Sequence, residues 1–149
     1  LGDYALKIYN REGNDDNSAK QDLQMGCLVE GERYYVQVEY RLEKNGVSFE
    51  CDPTTDDAAT RCLEFDIKSF DSQGDEHETV AYTSSPFNTN GWSYIVGAFR
   101  ATEKMMNANE KVSAFFDNMD PSVDIIINDA SITPLSLDCN SLILNSDFE

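Results

Sequence analysis

The sequence predicts an all-β fold, an antiparallel β-sandwich or jelly roll, on three observations. Apolar and polar residues alternate with period two in several short stretches, as they do along half-buried strands. Polar, turn-forming clusters separate those stretches, and Pro53, Pro86, Pro121 and Pro134 fall between the strand candidates, where proline removes no ladder hydrogen bond. The only segment that reads as helix, residues 102–109, is short. Many short strands joined by polar turns are the pattern of sandwiches and jelly rolls.

Residues 4–9 form the first strand candidate. Residues 33–42 form the clearest: Tyr34, Val36, Val38, Tyr40 and Leu42 share one face, while Arg33, Tyr35, Gln37, Glu39 and Arg41 share the other. Residues 62–68 alternate with Leu63, Phe65 and Ile67 inward, and residues 92–99 follow the turn signal Asn88-Thr89-Asn90-Gly91. Residues 111–116, 123–127 and 141–144 complete the set. Residues 12–18 and 69–78, the latter around Gly74, read as turns. No internal linker and no repeat of solenoid period is present.

The length, 149 residues, suits one domain with a sizeable core. No apolar run approaches the roughly 18 residues of a membrane helix. The net charge of −17 repels phosphate backbones and argues against nucleic acid as a partner; it is compatible with divalent cations or simply with solubility. Four cysteines lie at positions 27, 51, 62 and 139, with no C-x-x-C pair and a single histidine, His77, so a zinc or redox site is not expected. An even count reads as two disulfides formed in an extracellular, oxidising compartment. Four cysteines allow three pairings. Cys51 and Cys62 flank the turn-rich loop Asp52-Pro53-Thr54-Thr55-Asp56-Asp57 and are expected to close it, leaving Cys27 for Cys139.

Five segments together resemble the jelly-roll carbohydrate-binding modules found beside xylanases, of the galactose-binding-like group. These are Gly2-Asp3-Tyr4-Ala5-Leu6-Lys7-Ile8, Gly31-Glu32-Arg33-Tyr34-Tyr35-Val36, Gly91-Trp92-Ser93-Tyr94, Ile127-Asn128-Asp129-Ala130-Ser131-Ile132 and Leu142-Ile143-Leu144-Asn145-Ser146-Asp147-Phe148-Glu149. They stand in the family's cyclic order, but the motif that opens those modules stands here at the C-terminus. The resemblance thus implies a tandem array cut out of phase: residues 1–135 form a module lacking its usual first strand. Residues 136–149 would be a linker plus the first-strand motif of a next repeat, or a strand that completes this sheet. Exchange of that strand with neighbouring copies would build a head-to-tail fibre.

The resemblance implies a non-catalytic glycan-binding module. Sugar rings present apolar C–H patches that stack on aromatic faces, and their hydroxyls need polar side chains. The candidates are Trp92, Tyr94, Tyr35 and Tyr82, with Gln37, Glu39 and Arg41 as the hydrogen-bonding floor of a cleft on one sheet face. The resemblance also implies a structural Ca²⁺ held by Asn128, Asp129 and Glu149, since calcium takes six to eight oxygen ligands. Catalysis has little support: His77 sits in an acidic stretch, and no nucleophile elbow or phosphate loop occurs. The expected partner is therefore a polysaccharide in an extracellular or cell-surface setting. The alternative is a structural repeat of a fibre or adhesin that assembles through residues 142–148.

Overall fold

The computed structural model describes residues 5–9, 11, 19–57, 59–71, 74–83, 91–107 and 112–135; for 70–71, 74–77 and 107 it describes the backbone alone. The described strands are β1 (Leu6–Ile8), β2 (Lys20–Asp22), β3 (Arg33–Lys44), β4 (Val47–Ser48), β5 (Glu64–Asp71), β6 (Gly74–Thr83), β7 (Ser93–Arg100), β8 (Val112–Asp117) and β9 (Asp124–Pro134). A short helix, α1 (Glu103–Asn107), lies between β7 and β8, with the Thr102 hydroxyl accepting from the Met105 amide at its start. The strands form one antiparallel sheet in the order β1-β9-β3-β7-β6-β5-β8-β2, and β4 attaches to β3 as a hairpin. This is the expected all-β jelly roll.

The alternation of β3 is what builds the core. Tyr34, Val36, Val38, Tyr40 and Leu42 are all buried, while Arg33, Tyr35 and Gln37 face outward. The inward side chains of β3, β7, β5 and β8 meet in a single hydrophobic cluster, so the sheet curls over itself into two packed layers. Tyr34 stacks on Phe99 at 5.4 Å in one layer, and Phe65 meets Phe116 edge-on at 5.1 Å in the other. The buried Tyr34 hydroxyl accepts from the Val29 amide and donates to the Cys27 carbonyl, each at 2.8 Å, tying the segment before β3 to the core. Tyr40 shares a 2.6 Å hydrogen bond with Thr83, and burial pushes its phenol above the usual range.

Strand β6 is the corner. It pairs with β5 along its length but with β7 only through Ala81, Tyr82 and Thr83. A register shift leaves Val80 as an extra residue, a bulge that bends the strand. At that bend β6 passes so close to Gly97 that a Cβ there would lie 2.1 Å from the Val80 carbonyl oxygen and 2.6 Å from Ala81 Cα. Only glycine fits where the sheet turns from one layer into the other.

Two readings of the sequence are corrected. Residues 69–71 and 74–78 are strand rather than turn: β5 runs to Asp71 and β6 starts at Gly74, so His77 lies in a strand, its backbone opposite Lys68. Apart from Phe70 these arms hold no large apolar residue, and ladder hydrogen bonds need no apolar alternation. Pro134 does not fall between strands but ends β9, opposite Tyr34. The Leu135 amide donates to the Arg33 carbonyl, which makes Tyr34–Pro134 a non-hydrogen-bonded pair and points the missing N–H of Pro134 away from β3. Cys51 and Cys62 form the expected disulfide, with Cα atoms 5.0 Å apart. Cys27 is also disulfide-bonded; its expected partner Cys139, like residues 136–149 as a whole, lies outside the described residues.

Candidate functional site

The outward face of β3 and its neighbours gathers most of the residues singled out in the sequence. Because β3 pairs with β7 on one side and β9 on the other, the outward residues Tyr35, Gln37 and Glu39 each have two cross-strand neighbours about 4.8 Å away along the ladder. Tyr35 lies between Ala98 and Thr133, Gln37 between Val96 and Ser131, and Glu39 between Tyr94 and Asp129. Val96 in turn faces Tyr82 on β6. The outward β3 positions from Arg33 to Arg41 extend for about 27 Å, room for several sugar rings.

A shallow groove of about 470 Å³ opens beside Tyr35, lined also by Arg33, Gln37, Val96, Ser131 and Thr133. Ala98, directly opposite Tyr35, leaves the β7 side of that ring without bulk. Tyr35 itself is 50% exposed, so its ring is open to a ligand.

Glu39 is held from two sides. The Tyr94 hydroxyl donates to Oε1 at 2.7 Å, and the Asn128 amide donates to Oε2. The Tyr94–Glu39 hydrogen bond, together with the negative charge of Glu39, raises the Tyr94 phenol above its ordinary range. Asn128 reaches Glu39 because it is the extra residue of a bulge in β9, between Ile127 opposite Tyr40 and Asp129 opposite Glu39. The bulge turns both Asn128 and Asp129 outward while Ile127 and Ala130 stay inside.

Farther along the face, the Arg41 guanidinium lies 5.2 Å from the ring centre of Trp92 and also pairs with Glu43 at 3.2 Å. Lys7 bridges Glu43 and Asp124 at 3.0 and 2.9 Å. Trp92 therefore carries a cation on its ring and is set apart from the open groove at Tyr35. Asn128 and Asp129 supply two side-chain ligands where calcium takes six to eight oxygens, and Glu149 lies outside the described residues. Among the described residues no three His, Cys, Asp or Glu side chains converge as a metal site, and the expected set extends beyond them to Glu149.

Ser131, Thr133, Val96 and Ala98 were not singled out in the sequence. Ser131 and Thr133 did carry a signal, as polar residues alternating with Ala130 and Ile132 in the closing strand.

Fold and face together define an antiparallel β-sandwich of the jelly-roll type with an open, partly aromatic outward face. No family model matches the chain, and no curated protein matches it. Solved structures do. The CBM22-1 xylan-binding domain from Paenibacillus barcinonensis Xyn10C superposes with a TM-score of 0.66 at 12% identity, over 92% of this chain and 76% of that one. The CBM22-1–CBM22-2 tandem domain of the same protein gives 0.65 at 12%, over 92% and 37%. The CBM22-1–GH10 modules of Clostridium thermocellum endo-1,4-β-D-xylanase 10B, complexed with xylohexaose, give 0.60 at 18%, over 89% and 22%. Identities this low establish a common fold, the one that the sequence resemblance implied.

Proposed function

We propose that this chain is a non-catalytic, extracellular carbohydrate-binding module that takes a β-linked xylose polymer on the outward, concave face of β9, β3, β7 and β6. The observation that carries the reading is the half-exposed ring of Tyr35 beside an open groove with polar groups on its floor. A pyranose stacked on Tyr35 would set its hydroxyls toward Gln37, Ser131 and Thr133, which can both donate and accept. Glu39, oriented by Tyr94 and Asn128, offers a carboxylate for a neighbouring ring. The Cys51–Cys62 disulfide favours an oxidising compartment, and neighbours of the same fold are described as xylan-binding or complexed with xylohexaose. The test is affinity electrophoresis through gels containing soluble xylan. The protein should be retarded, and Tyr35→Ala should migrate freely with an unchanged circular dichroism spectrum. Equal migration of the wild type with and without xylan and other β-glycans would refute the reading.

A further inference from the structure

At one end of the same face two arginines stand directly opposite each other, Arg33 on β3 and Arg100 on β7. Both are exposed, and both are in step with the outward positions: Arg33 with Tyr35 and Gln37, Arg100 with Ala98 and Val96. The Arg100 guanidinium is anchored by donating to the Gly31 carbonyl at 2.5 Å. Among the described residues neither arginine makes a salt bridge, although Lys7, Arg41 and Lys44 all do. Like charges directly opposite across a sheet are destabilising. Yet this chain, with 11 basic residues against 28 acidic ones, places two of the 11 in one cross-strand pair. Arg33 also lines the groove beside Tyr35, so a group carried by a sugar on that ring would reach the pair.

We propose that Arg33 and Arg100 grip an oxyanion carried by the glycan, the carboxylate of a uronic-acid substituent, so that the module selects a uronate-bearing xylan chain over an unsubstituted one. This rests on the glycan-binding reading above and narrows its substrate class. Two guanidinium forks match a carboxylate with parallel N–H···O bonds, and the anion relieves their mutual repulsion. The net charge of −17 opposes any acidic ligand at long range, but that field is screened beyond about 8 Å in physiological salt. A preference for the acidic glycan must therefore come from contact with this pair.

Calorimetric titration with a neutral xylooligosaccharide and with the same oligosaccharide bearing one glucuronic acid tests the assignment. The acidic ligand should bind about tenfold tighter. In the Arg33→Gln/Arg100→Gln double variant, the ratio of the two affinities should fall to near one. Arg100→Glu, a single exposed change that serves if the double variant folds poorly, should reverse the preference. A ratio near one in the wild type, or one that survives these substitutions, overturns the assignment. Dextran sulfate competing as well as the uronate ligand would overturn the carboxylate assignment in favour of sulfate esters. Failure of both xylooligosaccharides to bind would instead refute the glycan site itself.

Discussion

The hydroxyl of Tyr94 donates to Oε1 of Glu39 at 2.7 Å across the β3–β7 pair, while Asn128 holds the other carboxylate oxygen. A carboxylate fixed at both oxygens in the middle of an exposed sheet face is oriented before any ligand arrives, which reduces the ordering cost of binding. Tyr94→Phe releases one side. Retention on xylan should weaken about fivefold while the melting temperature stays within a degree or two, read by affinity electrophoresis and thermal denaturation. The hydrogen bond and the charge of Glu39 hold the Tyr94 proton more tightly in the folded protein than the ordinary phenol value of 10.0. The contact is therefore complete below pH 10 and is lost as pH rises through the raised folded value. Retention by the wild type should be flat across neutral pH and should fall only in strong alkali.

Trp92 and Tyr35 should behave differently. Arg41 lies over the Trp92 ring, so the tryptophan organises the far end of the face through a cation–π contact. Trp92→Ala should leave measurable retention, about a tenth of the wild-type affinity, where Tyr35→Ala leaves none. Parallel calorimetric titrations with xylohexaose would compare the two, and equal losses would put Trp92 on the ligand itself.

Glu64 on β5 lies opposite Tyr82 on β6 and Asp117 on β8, beside a small cavity of about 90 Å³ that Asn118 also lines. Burial, then the charges of Asp66 and Asp117, raise its carboxyl above the ordinary 4.5, against the opposing pull of Asn118 and Arg61. A raised folded value means that the protonated form suits the fold: nothing is lost below pH 4.5, and stability falls as pH rises through the folded value. Glu64→Gln should raise the melting temperature at pH 7 by about 1–2 °C, allowing for the screening that a partly exposed group feels. The gain should vanish at pH 3, as scanning calorimetry at the two pH values would show.

At Gly97 the backbone of β6 lies tight against β7, with the Val80 carbonyl oxygen 2.1 Å from the site of a Cβ. The obstacle is backbone, so it cannot rotate away. Gly97→Ala should cost about 3 kcal/mol or more and lower the melting temperature by about 10 °C. The same substitution narrows the groove only indirectly, so xylan retention measured well below the new melting temperature should persist.

The fold was legible wherever one strand alone carried the information. In β3 five buried residues alternate with outward ones, and that single stretch revealed the strand, its core face and half of the site. The outer arms of β5 and β6, residues 69–71 and 74–78, hid because Phe70 is their only large apolar residue, too few to show an alternation. The turn from β3 to β4 is local and is announced by Asn45-Gly46: both residues take positive φ, 55° and 75°, as a two-residue hairpin turn requires. The other half of the site depends on register between distant strands. Nothing local in the sequence says that Gln37 sits between Val96 and Ser131, or that a bulge at Asn128 turns two consecutive polar residues toward Glu39.

The central claim concerns a place, so the most direct test maps one. Amide chemical shifts of the labelled protein, followed during titration with xylohexaose, should move along β3 from Tyr35 to Glu39, along β7 from Tyr94 to Ala98, and at Ser131 and Thr133 of β9. The layer formed by β5 and β8 should stay still. Shifts confined to that opposite layer, or none at saturating xylohexaose, would contradict the account.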